Sequence, residues 1–370
     1  MTFIGKPLEA IDTPALIVDM HKLEENILRV HRATFDAGLD IRPHIKSHKT
    51  PEIAQMQVRA GAVGITCAKL GEAEVMATAG IEDIFIAYSL VGETKMRRLV
   101  ALAKRTPRLS ISAESLEAAR QASSAFDAAG IELDVMIEVD VGAGRTGVQP
   151  ERAVAFADQV AEMPALNIVG MMGYASHFAY TRRGEAALAE GAAEEGRVIG
   201  EIAGDLAAAG HEMHRISGGS TPTAGRYQEG CGLTEIRSGS YVFYDRNQVD
   251  LGAAPMEQVA LSVLATVVAT PTPERAIIDA GTKGLSQQVG SVSDGYGWLP
   301  EVPGAKVVRI NDEHGFVDVR EAVRPLEIGE KVQVIPARGP TCVNLYDWLY
   351  AVRGGVVEDA WRIAARGRNT

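Results

Sequence analysis

Three shortages bound what this chain can be: few cysteines, no surplus of positive charge and no long apolar run. Only Cys67, Cys231 and Cys342 occur in 370 residues, far apart and without the spacing of metal ligands. An odd, sparse set is expected of reduced thiols in a cytoplasmic protein, not of a disulfide framework. Lys and Arg number 37 against 48 Asp and Glu, a net charge of -11. Nucleic acid as a main partner needs a basic face, so that class is set aside. No apolar run reaches the roughly 20 residues that span a bilayer. Met1 to Ile11 shows no basic stretch followed by an apolar core, so no signal peptide is expected.

What is present is length and alternation. A chain of 370 residues predicts two domains. A helix is expected from about His21 to Ala37, with Leu23, Ile27, Val30 and Ala33 on one face. Apolar strand-like runs then recur at Gly64–Ala68, Ile84–Tyr88, Leu109–Ser112, Val135–Val139, Ile168–Gly173, Met213–Ser217 and Glu235–Tyr241. With the segment around Lys46 they make eight, separated by Ala- and Glu-rich stretches of helical length. Strands alternating with helices predict an α/β fold, a (β/α)8 TIM barrel over 20–248. After about residue 248 the long helices stop. β-branched runs separated by Gly and Pro turns follow, among them Val259–Thr270, Lys331–Ile335 and Leu349–Val357. Residues 1–19 and 249–370 are therefore expected to form an antiparallel β domain.

The chemistry gathers at the expected strand ends. Arg42-Pro43-His44-Ile45-Lys46-Ser47-His48-Lys49 carries two lysines, two histidines and an arginine. Strand alternation puts His44 and Lys46 on one side, and a lysine facing inward is costly unless it has a task. That task is a Schiff base with an aldehyde cofactor, helped by neighbouring cations that lower the ammonium pKa. The plainer reading is a solvated basic turn. In such barrels phosphate commonly binds at the loops after strands seven and eight. Here those loops are Ser217-Gly218-Gly219-Ser220-Thr221-Pro222-Thr223 and Arg237-Ser238-Gly239-Ser240-Tyr241, rich in small residues and hydroxyls. After strand five, Gly142, Gly144 and Gly147 match a dinucleotide glycine spacing, but no helix opens there and Pro150 soon follows, so nucleotide binding is rejected. Arg145 in that loop either points at a cofactor ring or pairs with Glu138 or Asp140. Tyr174 and His177 follow strand six.

With these markers in order, from Asp12-Thr13-Pro14 to Ala364-Ala365-Arg366-Gly367, the chain resembles the D-threonine aldolase and D-serine dehydratase family. That family belongs to the alanine-racemase-like, fold type III group of pyridoxal-phosphate enzymes. The resemblance implies pyridoxal 5'-phosphate as cofactor, with Lys46 as its Schiff-base lysine. It implies that Ser217, Gly218, Gly219, Ser220 and Thr221, with Gly239, Ser240 and Tyr241, hold the phosphate, and that Arg145 and Tyr174 flank the pyridine ring. It also implies a homodimer in which the β domain of one chain closes the barrel mouth of the other.

One segment departs from the family. Its members carry Pro-x-His-x-Cys or Pro-x-His-x-Asp before an Asn-Leu pair, and the His and the acid or thiol bind a divalent metal that grips the substrate β-hydroxyl. Here Pro336-Ala337-Arg338-Gly339-Pro340 precedes Asn344-Leu345, which puts Arg338 and Pro340 at the ligand positions. Neither can bind a metal, and Cys342 without a His partner makes a poor site. The expected function is a metal-independent lyase acting on a β-hydroxy D-amino acid, an aldolase or a dehydratase. Lys46, His177 and Arg338 are its candidate catalytic residues, Arg338 supplying a fixed cation in place of the metal. An amino-acid racemase or epimerase, with His177 or a partner tyrosine as second base, is the alternative. A non-catalytic pyridoxal-phosphate carrier fits less well.

Overall fold

A computed structural model describes residues 3–370. The chain divides into two units: Arg29–Lys46, Pro51–Gly239 and Gly367–Thr370 form one, and Met1–Leu28, Ser47–Thr50 and Ser240–Arg366 the other. Residues 1 and 2, at the start of the range expected for the β domain, lie outside the described residues.

The first of these units is the expected barrel. Its eight strands are Asp40–Ile41, Ile65–Cys67, Asp83–Ile86, Arg108–Ala113, Leu133–Val139, Leu166–Gly173, Arg215–Gly218 and Glu235–Ile236. Each is parallel to its neighbours, and the first pairs with the eighth. His44 pairs with Thr66 beyond the end of the first strand and closes the ring. There the Thr66 N–H donates to the Pro43 carbonyl at 2.8 Å. Helices intervene, their ends set by local chemistry. In Leu116–Ala129 the Ser115 side chain accepts from the Ala118 N–H, and Gly130 ends the helix in the left-handed region.

Register decides the barrel interior. Glu138, Met172, Ser217 and Glu235 stand level on strands five to eight, so their side chains share one face. That face is the inner one: Arg215 on strand seven donates to Ser110 Oγ on strand four at 3.0 Å and stacks 5.3 Å from the Phe85 ring on strand three. Ile84, Ile86, Leu109, Ile111, Val135 and Ile137 alternate with these residues, face the helices and are buried. The interior is therefore a Phe85, Met136 and Met172 cluster together with paired charges. Arg42 Nε donates to Glu235 at 3.0 Å, and its other arm bonds Asp83. Burial alone pushes the Glu235 carboxyl up, but Arg42 and Arg215 overcome it and hold the pKa at about 2.

The first strand differs from expectation. It ends at Ile41, and Ile45–Ser47 forms a single 3-10 turn, so Lys46 does not alternate with His44 along a strand. Pro43 has no N–H to continue a ladder, the pairing stops at His44, and the chain coils toward the helix Pro51–Arg59.

In the other unit six strands close on themselves antiparallel: Leu261–Thr272, Arg275–Ile278, Gly315–Asp318, Lys306–Ile310, Gly297–Trp298 and Lys331–Pro336. Ala15–Asp19 joins beside Leu261–Thr272 and pairs parallel with Trp348–Arg353, the one parallel pair in an otherwise antiparallel sheet. The run expected over Leu349–Val357 is a hairpin. Gly354 and Gly355, at φ 57 and 78, turn the chain between Trp348–Arg353 and Val356–Arg362. Ile11, Ile17, Leu264, Val352 and Val357 pack together there.

Candidate active site

Lys46 sits on the turn that leaves the first barrel strand, exposed between buried Ile45 and buried Ser47. Its Nζ lies 5.9 Å from the centre of the Tyr174 ring, and the Arg145 guanidinium lies 4.9 Å from the same ring. Three residues from the ends of strands one, five and six therefore meet around one aromatic face.

Arg145 pairs with neither Glu138 nor Asp140 by any salt bridge found among the described residues; both carboxylates shape its loop instead. Glu138 accepts from Thr146 Oγ1 at 2.6 Å, and Asp140 accepts from the N–H groups of Gly142 and Gly144, each at 3.0 Å. Glu114 accepts from the Gly147 N–H at 2.6 Å. Burial raises the Glu138 pKa, the Thr146 bond opposes that, and the nearby Glu114 adds to it. The glycine spacing thus serves a carboxylate-pinned turn.

The turn carrying Lys46 is tied to the loops after strands seven and eight. The His44 N–H donates to the Ser238 carbonyl at 3.1 Å, and Ser238 Oγ donates to the Ser220 carbonyl at 2.7 Å. Within Ser217–Thr223 the roles divide. The Ser217 hydroxyl is buried and turned inward, donating to Glu235 and accepting from Arg237, both at 2.8 Å. Ser220 and Thr221 are buried too. Gly219 has φ +90, and a Cβ there would stand 3.0 Å from that of Ile236, so only glycine suits the position. Gly218 precedes it at the strand end, and Gly239 closes this unit's main segment. Burial lowers the pKa of Arg237 against the pull of Glu235 and Glu138. Its NH2 donates to the Gly173 carbonyl at 2.7 Å.

Ser240 and Tyr241 begin the other unit on a short 3-10 turn. The Ser240 hydroxyl lies 3.1 Å from that of Ser47, and Tyr241 is fully buried. His177, near the start of the helix Ser176–Tyr180, packs on the Arg145 loop: a Cβ on Gly142 would come within 2.9 Å of its ring. Its Nδ1 is buried without a hydrogen-bond partner among the described residues. Arg338 is half-buried and immediately precedes the short helix Gly339–Val343. Burial raises the carboxyl pKa of Asp245, only partly opposed by the Arg338 charge and by the Gly339 N–H, which donates to it at 2.9 Å. Cys342 is buried, donates to the Gly284 carbonyl at 3.2 Å, and burial pushes its thiol pKa up. Among the described residues no group of three or more His, Cys, Asp or Glu side chains is arranged to hold a metal ion.

Two residues that carry this geometry do not stand out in the sequence. Glu195 and Tyr227 lie under the strand-seven loop, their oxygens 2.6 Å apart. Their signal is faint: Glu195 interrupts the buried stripe Leu188, Gly191, Ala192, Gly196 and Ile199 on the helix Glu185–Ala208. An exposed amine beside a stacked Tyr–Arg pair, joined to a hydroxyl-rich loop that has room only for glycine, is a donor set that fits a flat aldehyde carrying a phosphate.

The sequence pattern described as alanine racemase, N-terminal domain, matches residues 18–247, and that of a putative serine dehydratase domain matches 260–352. A D-threonine aldolase of Arthrobacter sp is 38% identical, the match covering 98% of this chain and 95% of that protein. The crystal structure of a D-threonine aldolase from Filomicrobium marinum superposes with a TM-score of 0.90 at 32% identity, covering 98% of each chain. D-threo-3-hydroxyaspartate dehydratase from Delftia sp. HT23 gives a TM-score of 0.90 at 29% identity over 96% of this chain and 98% of that one.

Proposed function

We propose that this chain, which belongs to the D-threonine aldolase and D-serine dehydratase family of alanine-racemase-like pyridoxal-phosphate enzymes, is a lyase acting on a β-hydroxy D-amino acid without a divalent metal. The observation that carries the reading is the meeting of Lys46, Tyr174 and Arg145 at the ends of three barrel strands. When bound, pyridoxal phosphate supplies the electron sink for charge developing at the substrate α-carbon. Lys46 would hold the aldehyde carbon of the cofactor, and its amine would be placed to move a proton at the substrate α-carbon. Tyr174 and Arg145 would orient the ring, and the Gly218–Thr221 loop with Gly239, Ser240 and Tyr241 would hold the phosphate. Ser217 supports that loop from beneath, since its hydroxyl is engaged with Glu235 and Arg237.

The choice of bond falls to the group that holds the β-oxygen. Arg338 stands where relatives carry a metal-binding histidine, and its guanidinium offers a permanent charge with forked donors to a β-oxygen or a second carboxylate. Alignment on Asn344-Leu345 supports this assignment. The proposed assembly is a homodimer, each β domain closing its partner's barrel mouth and excluding water.

The test is a product assay on a panel of β-hydroxy D-amino acids with pyridoxal phosphate, with and without chelator. Aldehyde plus glycine marks an aldolase, and an oxoacid plus ammonia marks a dehydratase. Formation of the L-enantiomer alone would replace the lyase with a racemase. Borohydride should fix the cofactor on Lys46, and Lys46→Ala should abolish turnover. A protein that gains no absorbance with pyridoxal phosphate defeats the reading.

A further inference from the structure

Glu195 is fully buried on the inner stripe of a helix otherwise lined by Leu, Ile, Ala and Gly. A carboxylate there is costly unless its oxygens are met. They are met from two strand ends. Oε1 accepts from the Gly219 N–H at 3.1 Å, after strand seven, and from the Ala175 N–H at 3.4 Å, after strand six. Oε2 takes the Tyr227 hydroxyl at 2.6 Å and the Thr223 hydroxyl at 3.3 Å. Thr223 Oγ1 in turn accepts the Ser220 N–H at 3.1 Å and lies 3.1 Å from the Ser220 hydroxyl. Nothing in the proposed chemistry employs this carboxylate, and it would repel an anion brought against it. Its bonds instead consume the loop donors that point away from the site. They hold Gly219 in its positive φ and fix Ser220 between Thr223 and Ser238.

We propose that Glu195 is the positioning residue that shapes the Gly218–Thr221 loop for the cofactor phosphate. The inference rests on the proposed pyridoxal-phosphate reading. Glu195 touches neither cofactor nor substrate. Its reach is to the phosphate end of the ligand, because its bonds meet the loop after strand seven, whereas the turn carrying Lys46 is joined to Ser238 through His44.

That separation gives a readout that a general loss of stability does not move. The full-length protein is titrated with pyridoxal phosphate and with pyridoxal, which keeps the aldehyde and lacks the phosphate. Glu195→Ala should weaken pyridoxal phosphate by about tenfold or more, the scale of one lost buried hydrogen-bonding partner, and leave pyridoxal within about twofold. Glu195→Gln keeps an oxygen for Gly219 and should fall between. Should the alanine variant not fold, the glutamine variant decides by the same ratio. Equal weakening of both ligands, or an unchanged preference for the phosphorylated one, overturns the proposal. If the unaltered protein itself shows no preference for pyridoxal phosphate over pyridoxal, the phosphate site fails, and with it the premise. A normal preference that survives both substitutions removes only Glu195.

Discussion

At the scale of single residues, the proposed departure from the metal-dependent pattern lies at Arg338 and Pro340. If Arg338 carries the charge that a metal supplies elsewhere, rates should be indifferent to chelator and to added Mn²⁺, Mg²⁺ or Zn²⁺. Arg338→Ala should then cost roughly 2–5 kcal/mol in kcat/KM, the range for truncating one partner of a hydrogen-bonded charge pair. Arg338→Lys should recover part, since an ammonium is a point charge without the fork. A stoichiometric metal in the purified protein whose removal ends activity would restore it to the metal-dependent relatives. Lys46 stands out in the amino-acid order because it lies in a short run of cations, and Arg145 because it lies in a glycine-rich loop. Glu195 does not, since one glutamate beside another in an Ala-rich helix looks like a solvated face until its four donors are seen.

At the scale of elements, the barrel strands after the first followed from periodicity, but the first strand, Asp40–Ile41, and the polarity of the barrel interior did not. Runs such as Val135-Met136-Ile137-Glu138-Val139 look continuously apolar, yet register sends Glu138 inward to the level of Ser217 and Glu235. The Glu235 carboxyl is held at about 2 against an ordinary 4.5 by Arg42 and Arg215, despite its burial. A depressed folded-state pKa means that this stabilisation is complete above the unfolded value. It is lost as pH falls from about 4.5 toward 2. Glu235→Gln should remove that acid-dependent part and leave the two guanidiniums short of a counter-ion. The expected loss near neutral pH is roughly 3–5 kcal/mol, read from urea unfolding at a series of pH values. A variant as stable as the parent across the range would show that the pair contributes nothing.

At the scale of the whole molecule, the proposed assembly makes activity depend on concentration. Carbanion chemistry at an open barrel mouth would be quenched by water, and a two-fold pair in which each β domain covers the other's mouth provides the closure. Sedimentation should find a dimer at working concentration, with specific activity falling on dilution into monomer. A fully active monomer would end that part of the reading.

The amino-acid order by itself determined the fold class, the eight-unit barrel, the β-rich remainder and the residues of the lysine and glycine-loop motifs. Each of these is written in local spacing: period 3.6 or 2, turn residues, and a reactive side chain beside small ones. Tertiary structure alone decided that Lys46 leaves the strand on a 3-10 turn, because the ladder's end depends on Pro43 meeting Thr66. It decided that Ser217 faces the barrel interior, because its partners Glu235 and Arg237 arrive from the next strand and the loop beyond it. It also decided that Glu195 belongs beneath the loop after strand seven. The cost of a buried charge is set by which donors other segments bring to it, and spacing along one segment does not contain that information.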